Sequence, residues 1–296
     1  MVVSRDVRTP DGRMLRVHDA GDALGSSPHP TPRLTALWHH GSPQTGAILA
    51  PVLDAAVARG IRVVSYGRPD YGGSSANPGR DVASAAHDVS AIADALGLER
   101  FAVLGASGGG PHALACAALL PGRVIAAVTL AGIAPFDADG LDWFAGMADT
   151  GAVRAAAVGG RAARAAFEET AEFDASSFND RDYAALDGDW SALGADVGVA
   201  SALGPSGLGG LVDDDIAFTR PWGVDLGDVR VPVLVVQGGD DRVVPRAHGE
   251  WLLDSLPDGE LWLHPRDGHI SVLGALPTAL DWLLAREAAS GFPTGS

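Results

Sequence analysis

The chain predicts an α/β protein: a mostly parallel, eight-stranded sheet flanked by helices on both faces, with a helical lid inserted after the sixth strand. Three observations carry that expectation. Short apolar runs alternate with segments of helical period from residue 34 to 130. The helical segments are long enough to act as the crossovers that parallel neighbours need. The alternation stops between Pro135 and Trp222, where Ala-rich helical stretches replace strands, and it resumes at Val231.

Taken in order, Val2 to Arg8 and Met14 to Asp19 flank a Pro10-Asp11-Gly12 turn and read as a hairpin. Residues 20 to 33 are rich in Gly, Ser and Pro and read as a surface loop. Leu34 to His39 is a strand. Ile48, Leu49, Val52, Leu53, Ala56 and Val57 then recur with helical spacing until Gly60, and Val63 to Tyr66 is the next strand. Asp81 opens a helix whose apolar side is Val82, Ala85, Val89, Ile92 and Leu96, closed by Gly97. Phe101 to Leu104 and Ile125 to Leu130 are strands separated by a helix over His112 to Leu120. Beyond the break come a strand at Val231 to Gln237, a helix near Ala247 to Leu256, a strand at Glu260 to His264 and a last helix from Ser271 to about Ala289. The expected organisation is a core over 1–135 and 223–290, a lid over 136–222 and a loose tail at 291–296.

Composition narrows the function classes. The net charge is -16, and all 21 basic residues are Arg, so no lysine Schiff base, phosphate-loop lysine or lysine general base is available. The acidic surface repels phosphate backbones and anionic lipid, and neither nucleic acid nor a membrane is expected as a partner. Cys116 is the single cysteine, the start carries no apolar stretch of signal-peptide length, and no apolar run is long enough to span a bilayer, which makes the cytoplasm the expected compartment. The oligomeric state is left open.

The chemistry concentrates at Phe101 to Gly110, an apolar strand running into Gly105-x-Ser107-x-Gly109. A serine on a sharp strand-to-helix turn sits in strained backbone, and side chains two before and two after it would collide, which glycine avoids. With 39 Gly in the chain, random order gives on the order of 0.3 copies of this pattern, so its placement between strand and helix is what counts. A serine hydroxyl needs a base, and the base a carboxylate. His269, in Asp267-Gly268-His269-Ile270, follows the last strand and precedes the last helix, at the sheet edge where open α/β sheets build their sites. The other histidines lie on helices, in the N-terminal region or in structural positions. Asp241, in Gly238-Gly-Asp-Asp-Arg-Val-Val-Pro245, leaves the sheet at the same edge and is preferred to Asp240; Asp137 is the reserve. Two backbone N–H groups are needed for a developing oxyanion: Gly108, directly after the serine, and Ser42, in His39-His40-Gly41-Ser42-Pro43, with His40 read as structural.

These segments together resemble the α/β-hydrolase superfamily. The likeness rests on His40-Gly41-x-Pro43, Arg68-Pro69-x-Tyr71-Gly72-x-Ser74, the Ser107 turn, Gly238-x-x-Asp241-x-x-x-Pro245 and Gly268-His269, in the family's Ser, Asp, His order. Asp70 departs from the pattern, since relatives commonly carry Gly there. The resemblance implies acyl transfer to water through an acyl-enzyme: Ser107 as nucleophile, His269 as base and acid, Asp241 orienting His269, and no cofactor or metal. Serine at the turn argues against the haloalkane dehalogenases and epoxide hydrolases, which use Asp there. The leading expectation is hydrolysis of a small-molecule carboxylic ester. Alternatives are an aminopeptidase of the proline-releasing type, with Glu168, Glu169 or Glu172 receiving the substrate amine; a cofactor-free haloperoxidase or perhydrolase; and a non-catalytic ligand-binding member. The lid aromatics Phe136, Trp143, Phe144, Phe167, Phe173, Phe178 and Trp190 are candidate walls of an apolar pocket.

Overall fold

The N-terminal hairpin forms as expected, with β1 (Val3–Arg8) antiparallel to β2 (Met14–Asp19) across a turn in which Gly12 takes a φ of 90°. The structure, a computed structural model, describes residues 1–26, 31–202 and 207–289; His29, residues 204–206 of the Gly-rich run and the tail 291–296 lie outside the described residues. β2 pairs antiparallel with β4 (Ile61–Tyr66), and from there every neighbour is parallel: β4 with β3 (Leu34–His39), then β5 (Phe101–Ala106), β6 (Val124–Leu130), β7 (Val233–Gly238) and β8 (Gly259–His264). The order β1-β2-β4-β3-β5-β6-β7-β8 is one eight-stranded mixed sheet.

Side chains alternate across the pleat and so build two cores. On one face, Leu37, Val64, Val103, Ala127 and Val235 pack against α2 (Ser84–Leu96), α3 (Gly109–Leu119) and α8 (Arg246–Ser255). On the other, Ala36, Val63, Leu104, Val128 and Leu234 pack against α1 (Ala50–Val57) and α9 (Leu276–Ala289). Complete burial of β5 on both faces is what a central parallel strand requires, and its run of apolar residues supplies it. Cys116, on α3, is fully buried beside His39.

Some boundaries differ from the sequence expectation for identifiable reasons. The segment 20–33 is not all loop: Gly21–Ser26 is a 3-10 turn that inserts Leu24 into the interior. β7 starts at Val233, because Pro232 offers no N–H to the ladder. α3 starts at Gly109, so the helix follows the serine at once. Ser271–Ala275 is a 3-10 turn, and α9 begins only at Leu276, with Pro277 in the first turn where its missing N–H costs nothing.

Between β6 and β7 stand four helices and no strand among the described residues: α4 (Gly151–Glu168), broken at Gly160 with φ 65°, α5 (Asp180–Asp187), α6 (Ser191–Ala200) and α7 (Gly209–Phe218). α7 packs on α4, and its three consecutive aspartates are all buried, each on an arginine: Asp213 on Arg161, Asp214 on Arg68 and Arg80, Asp215 on Arg164. Among the described residues no helix is long and apolar enough to cross a membrane.

Candidate active site

The strands β3, β5, β7 and β8 all point their C-terminal ends to one edge, and the loops that leave them there carry the expected groups. Ser107 sits between β5 and α3 with φ 50°, a left-handed conformation that a non-glycine residue rarely adopts. Both flanking glycines are obligatory. A Cβ on Gly105 would lie 2.2 Å from Gly109 O, and one on Gly109 would lie 2.1 Å from His39 O. The turn is locked by Ser107 N–H to Leu130 O at 2.8 Å.

The structure brings the three expected side chains together. Ser107 Oγ is 2.9 Å from His269 Nε2, and His269 Nδ1 is 2.9 Å from Asp241 Oδ2. The other oxygen, Asp241 Oδ1, accepts the N–H groups of Val243 and Val244, both at 2.9 Å, while Gln237 Nε2 reaches Oδ2 at 3.4 Å. With the carboxylate fixed on Nδ1–H, Nε2 is left as an acceptor for the serine hydroxyl. Asp240 turns instead to Asn179 and Arg242, and Asp137 is exposed and outside the arrangement. Gly238 is needed here too, since a Cβ would meet Asp267 O at 2.5 Å.

The remaining buried histidines are held neutral. Burial, reinforced by the Arg68 charge, pushes His112 down to about 3 and His40 well below the ordinary histidine range. Burial also lowers His248 to about 4, and its ring spans Ala134 N–H and Trp143 O. His269 behaves differently. Burial opposes its charged form, but the Asp241 carboxylate, through its charge and hydrogen bond, and then Asp182 outweigh that, and its pKa is raised above the ordinary 6.5.

Ser42 and Gly108 meet across the cleft: a Cβ on Gly108 would lie 2.6 Å from Ser42 Oγ. Among the described residues neither backbone N–H is taken by a protein acceptor. The Ser42 loop is held from behind by a network that the sequence reading did not assemble. Ser42 Oγ donates to Asp214 Oδ2 at 2.5 Å and accepts from Arg68 at 2.8 Å. Tyr71 OH donates to the same Asp214 oxygen at 2.7 Å, Arg80 lies 2.6 Å from the other, and Arg68 also grips His40 O. Burial alone would raise the Asp214 carboxyl; Arg68 and Arg80 hold it well below the usual range. His40 is structural, as expected, accepting Arg68 N–H at its Nε2. Asp70 takes φ 69°, so an aspartate bears a left-handed turn at the position where the family resemblance implies glycine.

Ser107 and His269 open into a cavity of about 530 Å³. Its lining is largely apolar, with Trp38, Leu49, Leu186, Trp190 and Leu273, and polar groups such as Asp149 and Arg242 also border it. Of the seven candidate wall aromatics, Phe173, Phe178 and Trp190 line it. The other four do not: Phe136, Trp143 and Phe144 pack edge-to-face on one another, and Phe167 lies against Gly151. Glu168 is bound to Arg164 at 2.6 Å, and neither it nor Glu169 nor Glu172 lines the cavity. Among the described residues no group of three or more His, Cys, Asp or Glu side chains is arranged to hold a metal ion.

Comparison with known proteins agrees with this architecture. Over 50 residues the chain is 44% identical to a 2-hydroxy-6-oxo-6-phenylhexa-2,4-dienoate hydrolase of Burkholderia cepacia; the match spans 16% of this chain and only 18% of that relative's length. Among solved structures, a bromoperoxidase from Bacillus anthracis shares 22% identity over 97% of this chain and 98% of its own, with a TM-score of 0.69. An esterase from a Rhodococcus species shares 21% identity over 95% of this chain and 98% of its own, at 0.67. A profile of the alpha/beta hydrolase fold matches residues 37–275, from β3 through the turn after His269, and the chain belongs to that family.

Proposed function

We propose that the protein is a serine hydrolase that cleaves small carboxylic esters with an apolar acyl group. The reading rests above all on one observation: an unbroken hydrogen-bonded line, Asp241–His269–Ser107, that ends at a largely apolar cavity. Ser107 Oγ attacks the ester carbonyl and passes its proton to His269 Nε2. The imidazolium is stabilised by Asp241, whose second oxygen is already occupied by two backbone donors and so cannot swing away. The Ser42 and Gly108 N–H groups receive the oxyanion, each at a value of about 2.7–4 kcal/mol. His269 returns the proton to the leaving alcohol, then activates water to release the acid. In this reading the helices between β6 and β7 form the lid of the cavity, 136–222, and the acyl chain lies against Trp38, Leu49 and Trp190.

Esterases among the structural relatives support the fold side of this reading, and the hydrolase named in the short sequence match supports the reaction class. The positions of Glu168, Glu169 and Glu172 away from the cavity weigh against an amine-recognising peptidase. The test is a panel of p-nitrophenyl esters of increasing acyl length together with a fluorophosphonate probe. Turnover and labelling are expected in the unaltered protein, and both are expected to vanish in Ser107→Ala. Labelling that persists in that variant overturns the assignment of the nucleophile.

A further inference from the structure

We propose that Asp182, on helix α5 of the insertion, is the positioning residue of His269, so that the helices over the cavity also set the geometry beneath it. This rests on the hydrolase reading above only for its kinetic consequences. Asp182 is fully buried, and Asn179 and Asp182 form a capping box at the start of α5. A capping box employs a single donor at the acidic side chain. This carboxylate accepts five hydrogen bonds. Besides Asn179 N–H at 3.2 Å, it takes His269 N–H at 3.2 Å, Ile270 N–H at 2.9 Å, and both the N–H and Oγ–H of Ser271 at 2.8 Å. It thereby caps, from another part of the chain, the 3-10 turn that follows the histidine.

The approach is built in on both sides. A Cβ on Gly268 would lie 2.0 Å from Asp182 Oδ2, so only glycine lets the carboxylate this close. Ser271 Oγ, while donating to Asp182, accepts Gly268 N–H at 2.8 Å and ties the residue before His269 into the same knot. The next two helices repeat the device. Asp196 of α6 accepts Thr45 N–H at 3.0 Å and Thr45 Oγ–H at 2.5 Å, and Asp214 of α7 holds Ser42 Oγ. Three successive helices of the insertion thus each seat one buried carboxylate on a loop that carries Ser42 or His269.

Two carboxylates contact His269 directly, Asp241 from the turn after β7 and Asp182 from α5, while Asp149 borders the same cavity with its side chain accepting the Gly151 N–H. Asp267 is taken by Arg181 at 2.6 Å and by the His264 ring at 3.3 Å, and Asp240 by Arg242. Asp182→Asn removes one acceptor oxygen and the charge. The expected result is a kcat about 10- to 100-fold lower, with KM within about twofold of the original. Because a neighbouring anion favours the imidazolium, the acid limb of the rate profile, and the His269 ring titration followed by NMR, move to lower pH. Asp182→Glu, which keeps the charge and loses the fit, loses kcat without that movement. A folded Asp182→Asn protein with unchanged kcat and unchanged His269 titration overturns the proposal. If that variant does not fold, Ser271→Ala decides: it deletes one of the donors and leaves the carboxylate in place, and a kcat equal to the original overturns the proposal. Fluorophosphonate labelling of the unaltered protein reports on the hydrolase reading alone. An unlabelled protein whose His269 titration still responds to Asp182→Asn keeps the positioning role and loses the esterase.

Discussion

At the scale of single residues, the site depends on a raised pKa at one histidine among several that are lowered. In the proposed reaction His269 must be neutral to accept the serine proton, and its pKa lies above 6.5 because Asp241 and Asp182 favour the imidazolium more than burial opposes it. The rate therefore falls as the pH drops, with a midpoint above the ordinary histidine value, and a kcat/KM profile on a p-nitrophenyl ester measures it. The same titration affects stability with the opposite sign. A raised folded pKa contributes stability below the unfolded value, and this is lost as the pH climbs through the folded value. Asp241→Asn leaves the hydrogen-bond geometry but favours the wrong tautomer, and kcat is expected to fall by about 10⁴. Ser107, Asp241 and His269 were legible in the sequence because each requires glycine close by, at Gly105, Gly109, Gly238 and Gly268, where a side chain would strike backbone or the Asp182 carboxylate. Asp182, Asp196 and Asp214 were not, because an aspartate in a helical stretch reads as solvated until the fold shows what it touches. One trace was available: Asp213-Asp214-Asp215 stands between Leu211-Val212 and Ile216-Ala217-Phe218, and three acids inside an apolar run signal buried pairing.

At the scale of elements, α6 presents Leu193, Gly194 and Val197 to the cavity, and a Cβ on Gly194 would meet nothing within 4 Å. Gly194→Ala removes a helix-interior glycine without a clash and is expected to raise stability by about 0.5–1 kcal/mol, measured by urea unfolding. Gly194→Leu fills space in the cavity where the acyl chain is proposed to lie, so the preference among p-nitrophenyl esters is expected to move toward shorter acyl groups, with the acetate least affected. An unchanged length profile would place the acyl chain elsewhere. All eight strands were legible: the parallel ones as apolar runs bounded by Gly, Pro or polar residues, and the antiparallel pair β1 and β2 from the Pro10-Asp11-Gly12 turn between them. Helix starts were less so. The start of α3 at Gly109 is dictated by the Ser107 turn, while Gly109, Gly110 and Pro111 carry no helical periodicity. The four insertion helices, whose exact bounds follow from packing on the core, could be anticipated only as a helical region.

For the whole molecule, the insertion and the sheet are joined by buried charge. The side chains of Arg68, Arg80 and Asp214 are at most 2% exposed, so Asp214→Ala leaves two guanidinium groups without their carboxylate. Removing one partner of such a group costs about 3–5 kcal/mol, and the urea midpoint is expected to fall accordingly. Asp214 is held well below the usual carboxylate range, so its stabilising contribution is present above the unfolded value and fades only as the pH falls through the lower folded one. Order along the chain revealed the sheet and the edge that carries the candidate site; cross-links between residues 68 and 214, or 182 and 269, span distances that periodicity does not encode. The burial of Cys116 has a practical consequence. Its thiol is pushed up by burial and shielded by α3 and β3, so thiol-directed alkylating dyes can reach it only when the interior opens. The protein thus carries a built-in gauge of global unfolding, separate in chemistry from any label directed at Ser107.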